Sequence, residues 1–467
     1  MPAPTPTRLR ALISALERDL LERDAAARLA LLAALAGEHV LLIGPPGTAK
    51  SELARRLHRV FDGAPYFERL LTRFSTPEEL FGPLSLKALE DDRYERLTAG
   101  FLPTAGIAFL DEVFKANSAI LNALLTLLNE REFDNGSGRV ATPLISVVAA
   151  SNEVPVDDAL HAFYDRFLLR VPVGPVSDAA FEALLALAPS RGDVAGPLTA
   201  DERTAVAARA DATALGADTV TACAALRRWL AQEGIAVSDR RWRQWVGLMR
   251  TAAATEGRAE VDPIDLWTAP YVVSPAPEVA PRIAHWFEAE LLQAVPQEAP
   301  WLTRAVEAFE KQLEIEQSAP AENGDDGDAG KLALARAIGL GAGDGQGQGD
   351  PMLRIVSEKL EASLRRHFSS VHVAARVAQI DEIRGQALAA CHETASRRQR
   401  LAAALATRLW MPPSLVQRLD GAHGQTVRTL TALVARLEGA RAGFAGLPVD
   451  DRLPDVQPQD VAVGALV

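Results

Sequence analysis

A parallel α/β phosphate-binding module with helices on both faces of its sheet, followed by all-α regions, is the fold class the sequence predicts. Three observations predict it. The apolar run Val40-Leu41-Leu42-Ile43 leads directly into Gly44-Pro45-Pro46-Gly47-Thr48-Ala49-Lys50-Ser51, a strand ending in a loop patterned to cradle phosphate. The run Gly106-Ile107-Ala108-Phe109-Leu110 ends on Asp111-Glu112, a buried strand that delivers adjacent acids at its carboxyl end. Beyond Pro175 the chain turns alanine-rich and helical in period, with no strand alternation.

Each element follows from local pattern. Leucines at helical spacing between residues 8 and 36 predict two amphipathic helices, with Gly37 as the stop before the first strand. The loop then supplies backbone N–H groups, the Lys50 ammonium and the Ser51 hydroxyl, and a helix over 52–61 points its positive end at the same place. Alanine stands at position 49, where the usual pattern has glycine; helical φ/ψ there makes the methyl cheap. Thr76-Pro77-Glu78-Glu79 reads as a helix start with proline in the first turn. Residues 86–97, two short alternating runs around a charged tip, predict an exposed β-hairpin.

In an open α/β sheet, ligands sit at the carboxyl ends of strands, so Asp111 is expected to hold Mg²⁺ through water and Glu112 to polarise an attacking water. Asn117-Ser118 caps a helix over 119–130, and Arg131 to Asn135-Gly136 carries a tight-turn signal for a second hairpin. A buried strand over 144–150 ends at Ser151-Asn152, where the amide either meets a phosphate or forms a turn. Arg166, in Asp165-Arg166-Phe167, taken in isolation reads better as a local ion pair with Asp165 than as a functional residue.

Composition bounds the alternatives. With 467 residues and 48% hydrophobic content, several domains can bury cores, and no apolar stretch is long enough for a membrane span. The N-terminus lacks a signal-peptide pattern, so a cytoplasmic address is expected. Cys223 and Cys391 lie in no metal-ligand spacing. A formal charge of −12 disfavours nucleic-acid binding through phosphate neutralisation.

In their order and spacing, Gly44 to Ser51, Ile107 to Glu112, Ser151-Asn152 and Asp165-Arg166-Phe167 resemble an AAA+ ATPase of the MoxR group. The segments Glu79 to Leu86, Arg93 to Thr98 and Asn129 to Phe133 with Asn135-Gly136 narrow the resemblance to the RavA type. It covers roughly residues 8–275. The resemblance implies an ATP- and Mg²⁺-using module over 1–175, an all-α lid over 176–275 and a C-terminal helical domain over 276–316 and 351–446. An acidic glycine-rich linker at 317–350 and a tail at 447–467 complete the expected division.

The resemblance also assigns roles. Lys50 serves the phosphates and Ser51 the Mg²⁺; Asn152 is sensor 1; Arg166 is an arginine finger for a neighbouring subunit. Arg240 is sensor 2, reaching in cis, with Arg241 left as its alternative. Residues 83–104 and 131–143 become nucleotide-responsive inserts. It further implies a hexamer, a von Willebrand factor A domain partner and remodelling of protein clients. Lysine decarboxylase binding is in doubt, because the linker occupies that domain's place. A nucleotide-gated scaffold and a DNA-dependent motor are the competing functions, the second opposed by the net charge.

Overall fold

The computed structural model describes residues 3–136, 138–155, 157–187, 196–295, 299–319 and 366–461. Two compact units emerge: Met1–Ala294 with Ala403–Leu419, and Val295–Ala402 with Asp420–Val467. Residues 276–294, assigned from sequence to the C-terminal helical domain, thus fall in the first unit. The expected helix after Asp350-Pro351, with Leu353, Val356, Leu360 and Leu364, and most of the glycine-rich linker lie outside the described residues.

The first unit opens with helices α1 (Pro6–Glu17) and α2 (Asp24–Leu35), the second ending ahead of Gly37 in left-handed conformation. A five-stranded sheet comes next, built from β1 (Val40–Ile43), β2 (Tyr66–Leu70), β3 (Ile107–Asp111), β6 (Ser146–Ser151) and β7 (Leu169–Pro172). Its order is β2-β3-β6-β1-β7 and every pairing is parallel. Strands β1 and β6 are buried throughout, as expected where helices cover both faces. Because β3 and β1 both flank β6, their carboxyl ends and that of β6 lie side by side. The register sets them level: Ile43 pairs with Ser151, and Gly44 N–H donates to Ser151 O at 3.0 Å. Gly44 cannot be replaced cheaply, since a Cβ there meets Val173 O at 2.0 Å.

Helix α3 (Lys50–Arg59) leaves the phosphate loop, and α4 (Pro77–Phe81) begins at Thr76-Pro77 as the sequence predicts. The expected hairpin over 86–97 is instead helix α5 (Leu86–Glu90), capped by Ser85, whose side chain accepts from Ala88 N–H. Only a short antiparallel contact survives around it, with Leu84 opposite Arg96. Lys-Ala-Leu-Glu behind a serine cap favours a helical turn, and no neighbouring strand rewards extension. Helix α6 (Ser118–Glu130) starts on the Asn117 cap. The second hairpin forms as expected, β4 (Glu132–Asp134) against β5 (Arg139–Ala141). The two inserts are latched: Asn135 Oδ1 accepts from Arg96 N–H at 2.8 Å, and a Cβ on Gly136 would strike Tyr94 O at 2.1 Å.

Helix α7 (Asp158–Tyr164) precedes β7, and the region after that strand is helical, containing α8 (Asp178–Leu185), α9 (Ala200–Ala212), α10 (Ala217–Gln232) and α11 (Asp239–Thr255). A two-residue parallel pairing, Ala214–Leu215 with Glu260–Val261, and a bridge from Leu198 to Phe61 interrupt an otherwise helical pattern. Residues 403–419 fasten to this region: Arg408 donates to Asp265 at 3.1 Å and Trp410 Nε1 to Thr255 Oγ1 at 2.8 Å. Among described residues, no helix is long and apolar enough to cross a membrane.

The joint between sheet and helical region is Arg241. Buried at the start of α11, it donates to Asp165 Oδ1 at 2.9 and 3.0 Å and to the carbonyls of Leu168 and Val272 at 2.9 and 2.8 Å. Burial pushes its pKa down, and the Asp165 charge opposes that.

The second unit packs helix Pro300–Ser318 with the helical segments of Ser370–Ala406 and Pro413–Ala445 that belong to it. Leu302, Val306, Phe309, Ile380, Leu430, Leu433, Leu437 and Phe444 form its core. The break expected near Gly421 is absent, since that residue lies inside Pro413–Ala445; each helical glycine costs only about 1 kcal/mol. The expected tail is partly engaged, with Arg376 donating to Gln459 O at 2.7 Å.

Replacing Arg241 by methionine leaves Asp165 with fewer cationic partners and strands buried carbonyls. We expect a loss of about 3 kcal/mol, the low end for breaking a buried pair, because Asp165 keeps some solvent access. Calorimetry should show an earlier first unfolding transition; an unchanged transition would contradict the joint.

Candidate functional site

The strand ends converge on a cavity of about 320 Å³ lined by Pro46, Gly47, Thr48, Ala49, Lys50, Ser51, Asp111, Glu112 and Asn152. Its donors come from three adjacent strand ends, which is why residues more than a hundred positions apart in sequence meet here. Lys50 Nζ folds onto the loop, donating to Gly44 O at 2.7 Å and Pro45 O at 2.8 Å. Burial pushes the ammonium pKa down, while the Asp111 and Glu112 charges pull it back up. A phosphate chain supplies better acceptors for that cation than neutral carbonyls do.

Ala49 corrects the expectation of helical φ/ψ. It is left-handed, with φ 63° and ψ 24°, because the chain must reverse there to enter α3. The position makes the demand that glycine normally meets, and the methyl stores strain. Glu112 is left-handed too, at φ 51°, and its N–H donates to Asp111 Oδ1 at 3.0 Å. Its carboxylate is held from two sides: Asn152 Nδ2 donates to Oε1 at 2.5 Å, and Lys115 Nζ lies 3.2 Å from Oε2. Asn152 therefore does more than turn the chain. A carboxylate at 15% side-chain exposure, gripped by an amide, is positioned to take a proton once that amide finds another acceptor. Ser51 and Asp111 bring a hydroxyl and a carboxylate, hard oxygen donors suited to Mg²⁺.

Sequence reasoning missed Arg23, which is buried against the loop and donates to Thr48 O at 3.1 Å and Gly174 O at 2.6 Å, tying the loop to the end of β7. No spacing rule flags it, because its partners are backbone carbonyls.

Arg166 and Arg240 lie elsewhere. They line a second cavity of about 420 Å³ with Gly37, Glu38, His39, Leu128, Asn129, Arg131 and Gln244. Arg240, expected to serve its own phosphate loop, shares no wall of the first cavity. Its helix is held by Arg241 on Asp165, and Arg240 itself donates to the same carboxylate. Arg241, half of the open choice, is a buried structural residue. Asp165 also does not pair with Arg166; its partners are Arg170, Arg240 and Arg241.

In the second cavity, burial pushes the Glu38 carboxyl up to about 7, with Arg131 and a 2.9 Å hydrogen bond from Gln244 pulling it back. His39 is fully buried and held well below its usual pKa by burial and by Arg131, so it is neutral. Val147 N–H donates to its Nδ1 at 3.0 Å, and its Nε2 faces Leu128 O at 3.2 Å.

Comparison with known proteins fits this geometry. Residues 7–202 match the family described as the MoxR domain in the MoxR-vWA-beta-propeller ternary systems, and residues 218–287 match the AAA lid domain. Residues 7–202 are thus similar to a MoxR domain, and residues 218–287 to an AAA lid, which supports a MoxR-group AAA+ ATPase. The chain is 43% identical over 252 residues to MJ0812, an uncharacterized protein of Methanocaldococcus jannaschii, covering 53% of this chain and 66% of that protein. It is 32% identical over 168 residues to protein MoxR of Paracoccus denitrificans, covering 34% of this chain and 48% of that one. The chain thus spans under two thirds of either relative. A crystal structure of a candidate ATPase from Cytophaga hutchinsonii superimposes with a TM-score of 0.50 at 15% identity, covering 60% of this chain and 94% of that one; the likeness is one of fold.

Ala49→Gly should raise stability by about 1 kcal/mol by relieving left-handed strain, with nucleotide affinity kept; calorimetry with a binding titration checks both. Glu38 makes stability depend on pH. Its folded pKa lies above its unfolded value, so the folded state holds the extra proton, and stability falls as pH rises from about 4.5 to about 7. Glu38→Gln should flatten that slope, by at most about 3 kcal/mol across the window, in unfolding midpoints taken from pH 5 to 8.

Proposed function

We propose that the chain hydrolyses ATP as a ring of like subunits, a hexamer, and spends the energy remodelling protein clients in the cytoplasm. The observation that carries this reading is the division of parts. Lys50, Ser51, Asp111, Glu112 and Asn152 line one cavity, while Arg166 and Arg240 line another. Hydrolysis needs both sets, and two copies supply them if the arginines of one subunit serve the phosphates held by its neighbour.

On this reading Lys50 leaves the Gly44 and Pro45 carbonyls for the β- and γ-phosphates. Asn152 transfers its amide from Glu112 to a phosphate oxygen, freeing the carboxylate. Glu112 takes a proton from water as the water oxygen bonds to the γ-phosphorus. The bond from that phosphorus to the β–γ bridging oxygen breaks, and ADP departs with the electron pair. Ser51, and Asp111 through water, would hold Mg²⁺, which when bound neutralises charge on the phosphate oxygens. Arg166 from the neighbour stabilises the transition state, an effect of about 10³–10⁵ in rate in other NTPases.

The family description of MoxR-vWA-beta-propeller systems supports a von Willebrand factor A domain partner. The latched inserts, through Asn135 and Gly136, support the RavA-type reading of those segments and give client engagement a route from the nucleotide site. We carry lysine decarboxylase binding no further.

The test is a steady-state ATPase titration over protein concentration. Wild-type turnover per subunit should rise as rings form, Glu112→Gln should fall by about 10²–10⁴, and Lys50→Ala should lose nucleotide binding. Arg166→Ala should keep binding and lose turnover. Wild-type turnover no higher than that of Glu112→Gln at ring-forming concentration would sink the proposal.

A further inference from the structure

The second cavity holds more cation than an arginine finger and a sensor residue account for. Arg131 also lines it, carried there by an unusual backbone: it closes helix α6 in left-handed conformation, at φ 55°. A non-glycine residue held this way is strained, and its surroundings must over-determine it. They do so on both sides. Thr142 N–H and Oγ1 both donate to Arg131 O, at 2.8 and 3.1 Å, and Arg131 Nη2 donates to Gly37 O at 2.6 Å. Two buried donors go unused. Arg131 Nη1 and Arg166 Nε are buried and have no hydrogen-bond partner among the described residues.

Burial pushes the Arg131 guanidinium pKa down to about 10, with Glu38 alone opposing. The groups facing this space are the cations Arg131, Arg166 and Arg240, the acid Glu38 and the neutral His39 and Gln244. Glu38 is a weak counter-ion, since burial has raised its pKa to about 7. Arg240 is already paired with Asp165, but Arg131 and Arg166, with buried unpaired donors and a half-neutralised acid beside them, form a site short of an anion. Neither the phosphate loop nor the Asp111-Glu112 pair lines it, so the anion comes from elsewhere.

We propose that Arg131 is a third trans-acting arginine, contacting the phosphates of the nucleotide bound by a second copy of this chain alongside Arg166 and Arg240. This rests on the ring reading above. Glu38 then acts as the resident counter-ion, holding the cluster together until a neighbour's phosphates arrive. Because Arg131 sits at the junction of α6 and the β4-β5 hairpin, the same contact would connect a neighbour's nucleotide to that insert.

Subunit mixing tests it. Arg131→Ala should lower kcat about a hundredfold, the cost of a lost transition-state donor, while its own loop keeps its nucleotide affinity. Lys50→Ala subunits are inactive at their own loop but carry intact arginines. Mixed before assembly, the two variants should regain turnover above the sum of the separate preparations, because some interfaces pair an intact loop with an intact Arg131. Arg166→Ala mixed with Lys50→Ala is the control for the ring reading. Rescue in the control without rescue for Arg131 overturns this inference and leaves the ring standing. No rescue in either mixture overturns both. If Arg131→Ala unfolds, Arg131→Lys and Arg131→Gln replace it. The inference requires both to be rescued by Lys50→Ala, and a purely structural Arg131 gives a lowered unfolding midpoint with no rescue.

Discussion

Asp165 is the carboxylate on which the geometry of the first unit turns. It accepts from Arg241, Arg240 and Arg170, so one acid joins the end of the α7 region, strand β7 and the start of α11. Arg241 anchors the arrangement, because its side chain is only 4% exposed and also satisfies backbone carbonyls that would otherwise be buried unpaired. Arg170 adds a cation–π contact, its guanidinium 3.9 Å from the Tyr164 ring centre. With Asp165 committed to these partners, its neighbour Arg166 is left unpaired by it and turned into the second cavity. A structural ion cluster thus sets the aim of Arg166, one residue away.

Strain and desolvation meet at the walls of both cavities. Ala49, Glu112 and Arg131 all hold left-handed backbone, and each ends or begins an element at a cavity wall. The sheet can support this because β1 and β6 are buried throughout and locked in register, so the cost falls on a rigid scaffold and not on a loose loop. Lys50 on its own loop carbonyls and Glu112 on Asn152 are both polar contacts that a phosphate chain competes with directly. On the proposed reading, the same hydrogen bonds that satisfy the site in this state are the ones that binding exchanges.

Much of the site was legible because its signals are local. A loop that wraps phosphate needs glycine, lysine and hydroxyl at fixed offsets, and a strand that delivers acids needs them directly after its last apolar residue. Asn117, Thr76-Pro77 and Asn135-Gly136 declared caps and a turn for the same reason. Residues 86–97 misled because apolar spacing over so short a run suits a capped helical turn as well as a strand. Ala49 misled because residue identity does not report φ. Arg23 and Glu38 carried no signal, and Arg131 registered only as part of a hairpin motif, since their partners are backbone carbonyls or residues remote in sequence.

By itself, then, the sequence determined the strand, loop and helix that hold phosphate, the acids at the end of β3 and the helical character of the chain beyond Pro175. Each depends on side-chain period or on chemistry within a few residues. Only the tertiary structure decided that Asn152 grips Glu112, that Arg241 is a buried staple while Arg240 joins Arg166, and that Arg131 shares their cavity. Those outcomes depend on which strand lies beside which and on where desolvated charges find partners, and neither is written in local spacing.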